Sequence, residues 1–299
     1  VLDGGYGGAP VLAWAHDTAV GSGAGRGDVI ILTPGGGDSS SSWLTARFRS
    51  AQTISIADGA TAADFAIAAS LVAHAEAVWF TGGDQAKYVR WKGSLLMDAV
   101  DAVFARGGVV GGTSAGMIIL GHSTNDALVT ISENITTTLA VKDPYDPNIH
   151  FTQDVLHLAP LARSITDPHF IARDRMGRLS TFMARQVADG FALPGILGIA
   201  VDDGAALVID KSGQAARLAD ADGPAAYVVR GQTPDQVQKG KPLVYKGIHV
   251  VKLSSAAHAF DFTRRCGKGF VRDFDVDGSQ TPPYPSSVYQ DGTYADECP

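Results

Sequence analysis

No run of about 18 apolar residues occurs anywhere in the 299-residue sequence, so no membrane-spanning helix is expected. Cysteine is nearly absent. Cys266 and Cys298 are the only two, too few and too isolated for a zinc site. Both lie near the C-terminus, which fits a single disulfide stapling a tail and, with it, a secreted or periplasmic protein, the cytoplasm being the alternative. Charge is sparse at 18%, and the balance of 24 basic to 31 acidic residues gives a net charge of −7. The basic footprint that a nucleic-acid binder needs is therefore missing. So are the phosphate loop G-x-x-x-x-G-K-S/T and the zinc helix H-E-x-x-H, and the glycines of Gly21–Gly27 do not fit G-x-G-x-x-G. There is no initiator Met and no signal peptide. The chain opens on Val1-Leu2-Asp3-Gly4-Gly5, which reads as the end of a strand, so upstream residues are expected to have been removed.

What is present is glycine, 35 residues of it, in a chain that is 45% apolar. That is enough for one large domain or a domain with an appendage. Short β-branched runs alternate with longer alanine- and leucine-rich segments. Val29–Leu32, Thr53–Ile56, Ala77–Phe80 and Gly108–Gly111 read as strands, and Ala62–Ala75, Leu95–Ala105 and Thr181–Ala188 as helices. Ile196–Val201, Ala206–Ile209, Tyr227–Arg230 and Leu243–Leu253 read as later strands. Strands followed by helices, with glycine at the strand ends, predict an α/β fold with a doubly wound, mostly parallel sheet and helices on both faces. Sites in such sheets form at the carboxyl ends of the strands, so the glycine-rich ends at 35–37, 82–83 and 111–116 are expected to converge. From Ser254 the composition shifts to Gly, Pro, Asp and Tyr. The expected organisation is a domain over 1–253 and an irregular extension over 254–299.

The sharpest motif is Gly112-Thr113-Ser114-Ala115-Gly116, a G-x-S-x-G between a strand and a helix. Small residues there permit a turn that lifts a serine hydroxyl above the sheet, and the amide of Ala115 can meet an oxyanion. The same pattern can be a plain turn with a capping serine. Phe80-Thr81-Gly82-Gly83-Asp84-Gln85 ends another strand, with Gly83 a candidate second oxyanion donor and Gln85 a candidate substrate contact. A serine needs a base. Among eight histidines, His169 in Asp167-Pro168-His169-Phe170 stands out because Arg173, Arg175 and Arg178 follow it. Arginines at a helix start oppose the helix dipole, which suggests a carboxylate for them to hold, whether from a substrate or from Asp174. Asp202 and Asp203, at a strand end, are candidates to orient the histidine. Asp273, Asp275 and Asp277 have the spacing of half a calcium loop, although Tyr284 stands where such a loop needs a carboxylate.

Taken together and in this order, these motifs resemble the cyanophycinase-like serine peptidases (family S51), over about Val1 to Leu253. The resemblance implies the fold of class I glutamine amidotransferases, often as a homodimer. It makes Ser114 the nucleophile, His169 the base and Asp203 the acid, and gives pocket positions to Gln85, Asp167, Arg173, Arg175 and Arg178. The implied reaction is hydrolysis of aspartyl or β-aspartyl peptides, with cyanophycin and its β-Asp-Arg products as the type case. No cofactor is required, and calcium in the tail would be structural. Two positions depart from the family: Pro168 stands in place of Gln, and Asp203 in place of Glu. The rival readings are an esterase of the α/β-hydrolase type, with an aspartate followed by His249 or His258, and a binding protein without catalysis.

Overall fold

A computed structural model of the chain describes every residue except Gly7, Ala24, residues 36–43, Thr45 and Pro299. Along the first half run β1 (Leu2–Asp3), α1 (Ala9–Val20), β2 (Arg26–Thr33), β3 (Phe48–Ser55), α2 (Ala62–Val72), β4 (Ala77–Phe80), α3 (Gln85–Val89), α4 (Leu95–Ala105), β5 (Val109–Thr113) and α5 (Ala115–Ile118). There follow β6 (Ser123–Asn125), α6 (Thr137–Lys142), β7 (Phe151–Gln153), β8 (Ser164–Asp167), α7 (Met176–Ala188), β9 (Leu197–Val201), β10 (Ala205–Ile209), β11 (Gln214–Ala219) and β12 (Ala226–Arg230). The last strands are β13 (Val244–Leu253), β14 (Ala259–Asp261), β15 (Cys266–Asp277) and β16 (Thr293–Asp296).

The parallel core expected from the sequence is present. β3, β2, β4, β5 and β1 pair in that order, all parallel, and a second parallel run joins β9, β8 and β6. Between the two runs the sheet passes through antiparallel strands, β10, β11, β14, β15, β13 and β12. Helices cover both faces, and β2 shows why. Val29 and Ile31 point into a cluster with Val11, Leu12 and Ala15 of α1. Ile30 and Leu32 point the other way, to Ala68 and Val72 of α2 and Leu96, Val100 and Val103 of α4. A strand buried on both faces must be apolar throughout, and each fully buried aliphatic side chain contributes on the order of 1.5–3 kcal/mol. Local signals agree. Thr61 and Asp64 form a reciprocal cap at the start of α2, and Ser94 caps α4. Among the described residues no helix is long and apolar enough to cross a membrane.

The C-terminal extension departs from expectation. It is not irregular: β14, β15 and β16 all belong to the same sheet, and β15 pairs with β13 across the expected boundary at residue 253. The glycines that suggested loops have a packing role instead. A Cβ on Gly267 would stand 2.6 Å from the Val251 side chain, and one on Gly269 2.6 Å from the Lys252 carbonyl oxygen. The expected disulfide is there, joining Cys266 and Cys298 with Cα atoms 5.2 Å apart.

Candidate active site

Ser114 sits between β5 and α5 with φ 53° and ψ −117°. A positive φ at a residue with a side chain costs on the order of 1–3 kcal/mol and persists only where the surroundings enforce it. Here the motif's glycines enforce it. A Cβ on Gly112 would lie 2.5 Å from the Gly116 carbonyl, and one on Gly116 would lie 2.3 Å from the Phe80 oxygen. The turn can therefore close only with bare backbone at both positions. The Ser114 amide donates to the Asp3 carbonyl of β1 at 3.2 Å, which ties the turn to the sheet.

His169 follows β8 after Pro168, also at positive φ, and its amide donates to the Gly4 carbonyl at 3.1 Å. Its Nε2 is 2.8 Å from the Ser114 hydroxyl, and its Nδ1 is hydrogen-bonded to a carboxylate oxygen of Asp203. An ionised carboxylate can only accept, so Nδ1 carries the proton and Nε2 is left to accept the serine proton. Burial lowers the His169 pKa below the ordinary histidine value; Asp203 opposes this, while Arg173 and Arg175 assist it. The ring is thus neutral at pH 7, the state a general base requires.

The two candidate acids have different tasks. Asp203 faces the imidazole. Asp202 points away, accepting the amides of Ile171 at 3.1 Å and Ala225 at 3.0 Å, with the Tyr227 hydroxyl beside it. Burial pushes Asp202 up to about 6, against those hydrogen bonds.

On the other side of Ser114 lies the end of β4. A Cβ on Gly82 would stand 3.4 Å from the Ser114 Cβ, and Gly83, at φ 133°, lies against Pro34. The strand ends at 34–35, 82–83 and 112–116 therefore converge, while Gly36 and Gly37 lie outside the described residues. Ala115 opens α5, so its amide is free of the helix's own hydrogen-bond ladder. Asp84 caps α3 through the Ala86 amide at 2.9 Å. Gln85 is buried, and its amide group donates to the Asn125 carbonyl at 3.3 Å.

The arginines largely overturn the sequence reading. Asp167, Arg175 and Arg178, expected in the pocket, are buried and bound to one another. Asp167 accepts from Arg175 Nη1 at 3.0 Å, from Arg178 Nε at 2.9 Å and from Arg178 Nη2. Arg178 also donates to the carbonyls of Ser132 and Ile135, and Arg175 to that of Pro168. A carboxylate removed from water needs such partners, so these arginines serve Asp167 rather than an incoming ligand. Arg173 differs. Its side chain is 39% exposed and its bond to Glu133, at 2.7 Å, is on the surface. Glu133 comes from a short 3-10 turn, Ser132–Asn134, forty residues away in sequence and with no motif to mark it.

Other expectations also resolve. His249 bonds Asp273 at 2.6 Å and His258 accepts the Ser254 amide at 3.1 Å, so neither is the partner of Ser114 that an esterase order would need. Asp273, Asp275 and Asp277 lie on β15, a strand rather than a loop. Asp275 accepts the Gly247 amide and Asp277 caps Ser279. The calcium-loop geometry is thus replaced by strand alternation, and among the described residues no three His, Cys, Asp or Glu side chains could together hold a metal ion. A cavity of about 640 Å³, walled by Trp14, Phe104, Leu161 and Phe262, opens at the amino end of β5, whereas Ser114 stands at its carboxyl end.

No family model and no curated protein matches the sequence. Among solved structures, a peptidase from an acI-B1 actinobacterium aligns with 86% of this chain and 94% of its own length, at 13% identity and a TM-score of 0.50. A Listeria monocytogenes EGD-e protein provisionally assigned as peptidase E aligns with 67% of this chain and 89% of its own, at 12% identity and a TM-score of 0.41. What this chain has in common with the actinobacterial peptidase is its α/β fold.

Proposed function

We propose that this protein is a serine hydrolase that cleaves peptide bonds through an acyl-enzyme on Ser114. One observation carries the reading: a hydroxyl held at a strained strand-to-helix turn, 2.8 Å from a neutral imidazole whose other nitrogen is fixed by Asp203. His169 takes the Ser114 proton as the oxygen attacks the carbonyl carbon. The developing oxyanion meets the Ala115 amide and the backbone at Gly83. His169 then gives the proton to the leaving amine as the C–N bond breaks. Water, deprotonated by the same ring, attacks the acyl carbon and restores Ser114.

For the substrate, the resemblance to cyanophycinases favours an aspartyl or β-aspartyl residue, with cyanophycin among the candidates. The support from the arginines narrows to Arg173. A substrate carboxylate could replace Glu133 on its guanidinium, in a charge-assisted contact contributing roughly 1.5–3 kcal/mol. The disulfide fits a protein that works in an oxidising compartment. The test is product analysis after incubation with cyanophycin and with paired α-aspartyl, β-aspartyl and asparaginyl peptides. The expected result is cleavage with a preference for the aspartyl member that Arg173→Lys diminishes. Cleavage with equal kcat/KM for aspartyl and asparaginyl peptides would remove the carboxylate reading. No cleavage of any member by folded protein would favour a binding role.

A further inference from the structure

The C-terminal extension lies outside the part of the chain that resembles cyanophycinases, yet it reaches the turn that carries His169. That turn is tight. Arg173, Asp174 and Arg175 donate their amides to the carbonyls of His169, Ile171 and Phe170. Both His169 and Asp174 are held at positive φ, at 49° and 46°. Two residues in a disfavoured region within six positions need an external restraint. The extension supplies one. A single carboxylate oxygen of Asp174 accepts two phenols, Tyr284 at 2.6 Å and Tyr289 at 2.8 Å. The Tyr289 oxygen also accepts the amide of Met176, the first residue of α7, at 2.9 Å. Burial pushes Tyr284 up to about 12 and raises Tyr289 as well, so both phenols remain donors at any ordinary pH.

The rings extend the contact to both partners of Ser114's hydrogen-bond chain. Tyr289 packs edge-on against Phe170, the neighbour of His169, with centroids 5.7 Å apart, and against Tyr227 at 6.4 Å. Tyr227 in turn meets Phe170 at 5.1 Å and donates to Asp202, the neighbour of Asp203. The segment bearing these tyrosines is itself anchored. Lys252 donates to the Tyr289 carbonyl and pairs with Asp291, and Arg272 donates to Ser287 and to the Asp291 carbonyl.

We propose that Tyr284 and Tyr289 are positioning residues for His169, fixing through Asp174 and Phe170 the turn that presents the imidazole to Ser114 and Asp203. Its importance for catalysis rests on the hydrolase reading; its effect on the imidazole does not. The charged groups acting on the ring are Asp203, Arg173 and Arg175, and burial is the largest influence. A loosened turn admits water to the ring and relieves the burial that most depresses its pKa. The His169 titration midpoint then rises toward the ordinary histidine value.

The test uses the full chain with 15N-labelled histidine, the His169 signals being identified by their loss in His169→Gln. Wild type is compared with the Tyr284→Phe/Tyr289→Phe double variant, which keeps both rings. Tyr294→Phe, whose ring packs on His258 and Phe270, is the control. In the double variant the His169 midpoint should rise by about half a pH unit or more. Labelling of Ser114 by a fluorophosphonate should slow between about tenfold and a hundredfold. The control should match wild type in both. Should the double variant fail to fold, the Tyr289→Phe single variant is read in the same way. An unchanged midpoint in the folded variant would overturn the inference. A shifted midpoint with no labelling even of wild type would support it while overturning the hydrolase reading.

Discussion

Replacing Asp167 by Asn changes one atom and should cost this protein several kilocalories. The carboxylate is 1% exposed and accepts three N–H groups from two guanidiniums, themselves 3% and 2% exposed. The carboxamide keeps the shape, removes the charge in direct contact with Arg175 and Arg178, and turns an NH2 group toward an N–H donor. Breaking a buried ion pair by removing one partner costs about 3–5 kcal/mol, because the remaining charge is left without compensation. In a chain of this size, 1 kcal/mol corresponds to roughly 2 °C or a little more, so the melting temperature should fall by about 6–10 °C. Thermal unfolding followed by circular dichroism at pH 7 measures this directly, with a urea titration as a second estimate. If Arg175 and Arg178 instead hold a substrate carboxylate, Asp167→Asn will leave stability almost unchanged and raise KM. A melting temperature within about 1 °C of wild type would refute the structural assignment of these arginines.

Three further outcomes follow from the site and the tail. Asp203→Asn should lower hydrolysis by roughly ten-thousandfold at pH 7, because the imidazole loses the acceptor that keeps its proton on Nδ1; a loss below about tenfold would contradict the role. The base works only when neutral, so activity falls as pH drops through the His169 pKa. Burial places that limb below the ordinary histidine value in wild type, and removing Asp203, which raises the pKa, should move it lower still in a kcat/KM–pH profile. Opening the Cys266–Cys298 bond, which closes a span of 32 residues, should cost roughly 3–4 kcal/mol. The urea midpoints of reduced wild type and of the Cys266→Ser/Cys298→Ser variant should then coincide below that of the oxidised protein, and an unchanged midpoint would count against it.

The parts of this molecule legible in its sequence are those fixed by local constraint. The bounds of Ala77–Phe80 and Leu95–Ala105 follow from the sequence because a four-residue apolar run and a capped alanine–leucine segment leave few alternatives. Gly112 and Gly116 announce the serine turn because backbone contact admits nothing larger. What was not legible depends on direction or on distant partners. Asp202 and Asp203 are adjacent, and only the fold decides which carboxylate faces His169. The sequence leaves a ligand and Asp174 as partners for the arginines, because Asp167, which Arg175 and Arg178 hold, is eight and eleven residues away on the strand before the turn. Acids at every second position of β15 fit a calcium loop and a strand equally well until β13 is seen to pair along that stretch. The helix Ala9–Val20 and the strand Gln214–Ala219 carry no clear signal in the sequence. The first lies among glycines, and the second alternates small and polar residues too weakly to stand out.

The central claim is that Ser114, activated by His169, is a nucleophile. The most direct measurement is reaction of the purified protein with a fluorophosphonate, followed by mass spectrometry of the proteolytic fragments. The account predicts a single adduct on the peptide containing Ser114, abolished in Ser114→Ala and slowed at least a hundredfold in His169→Ala, with both variants folded. An adduct on any other residue, or no adduct on the folded wild type, would contradict it.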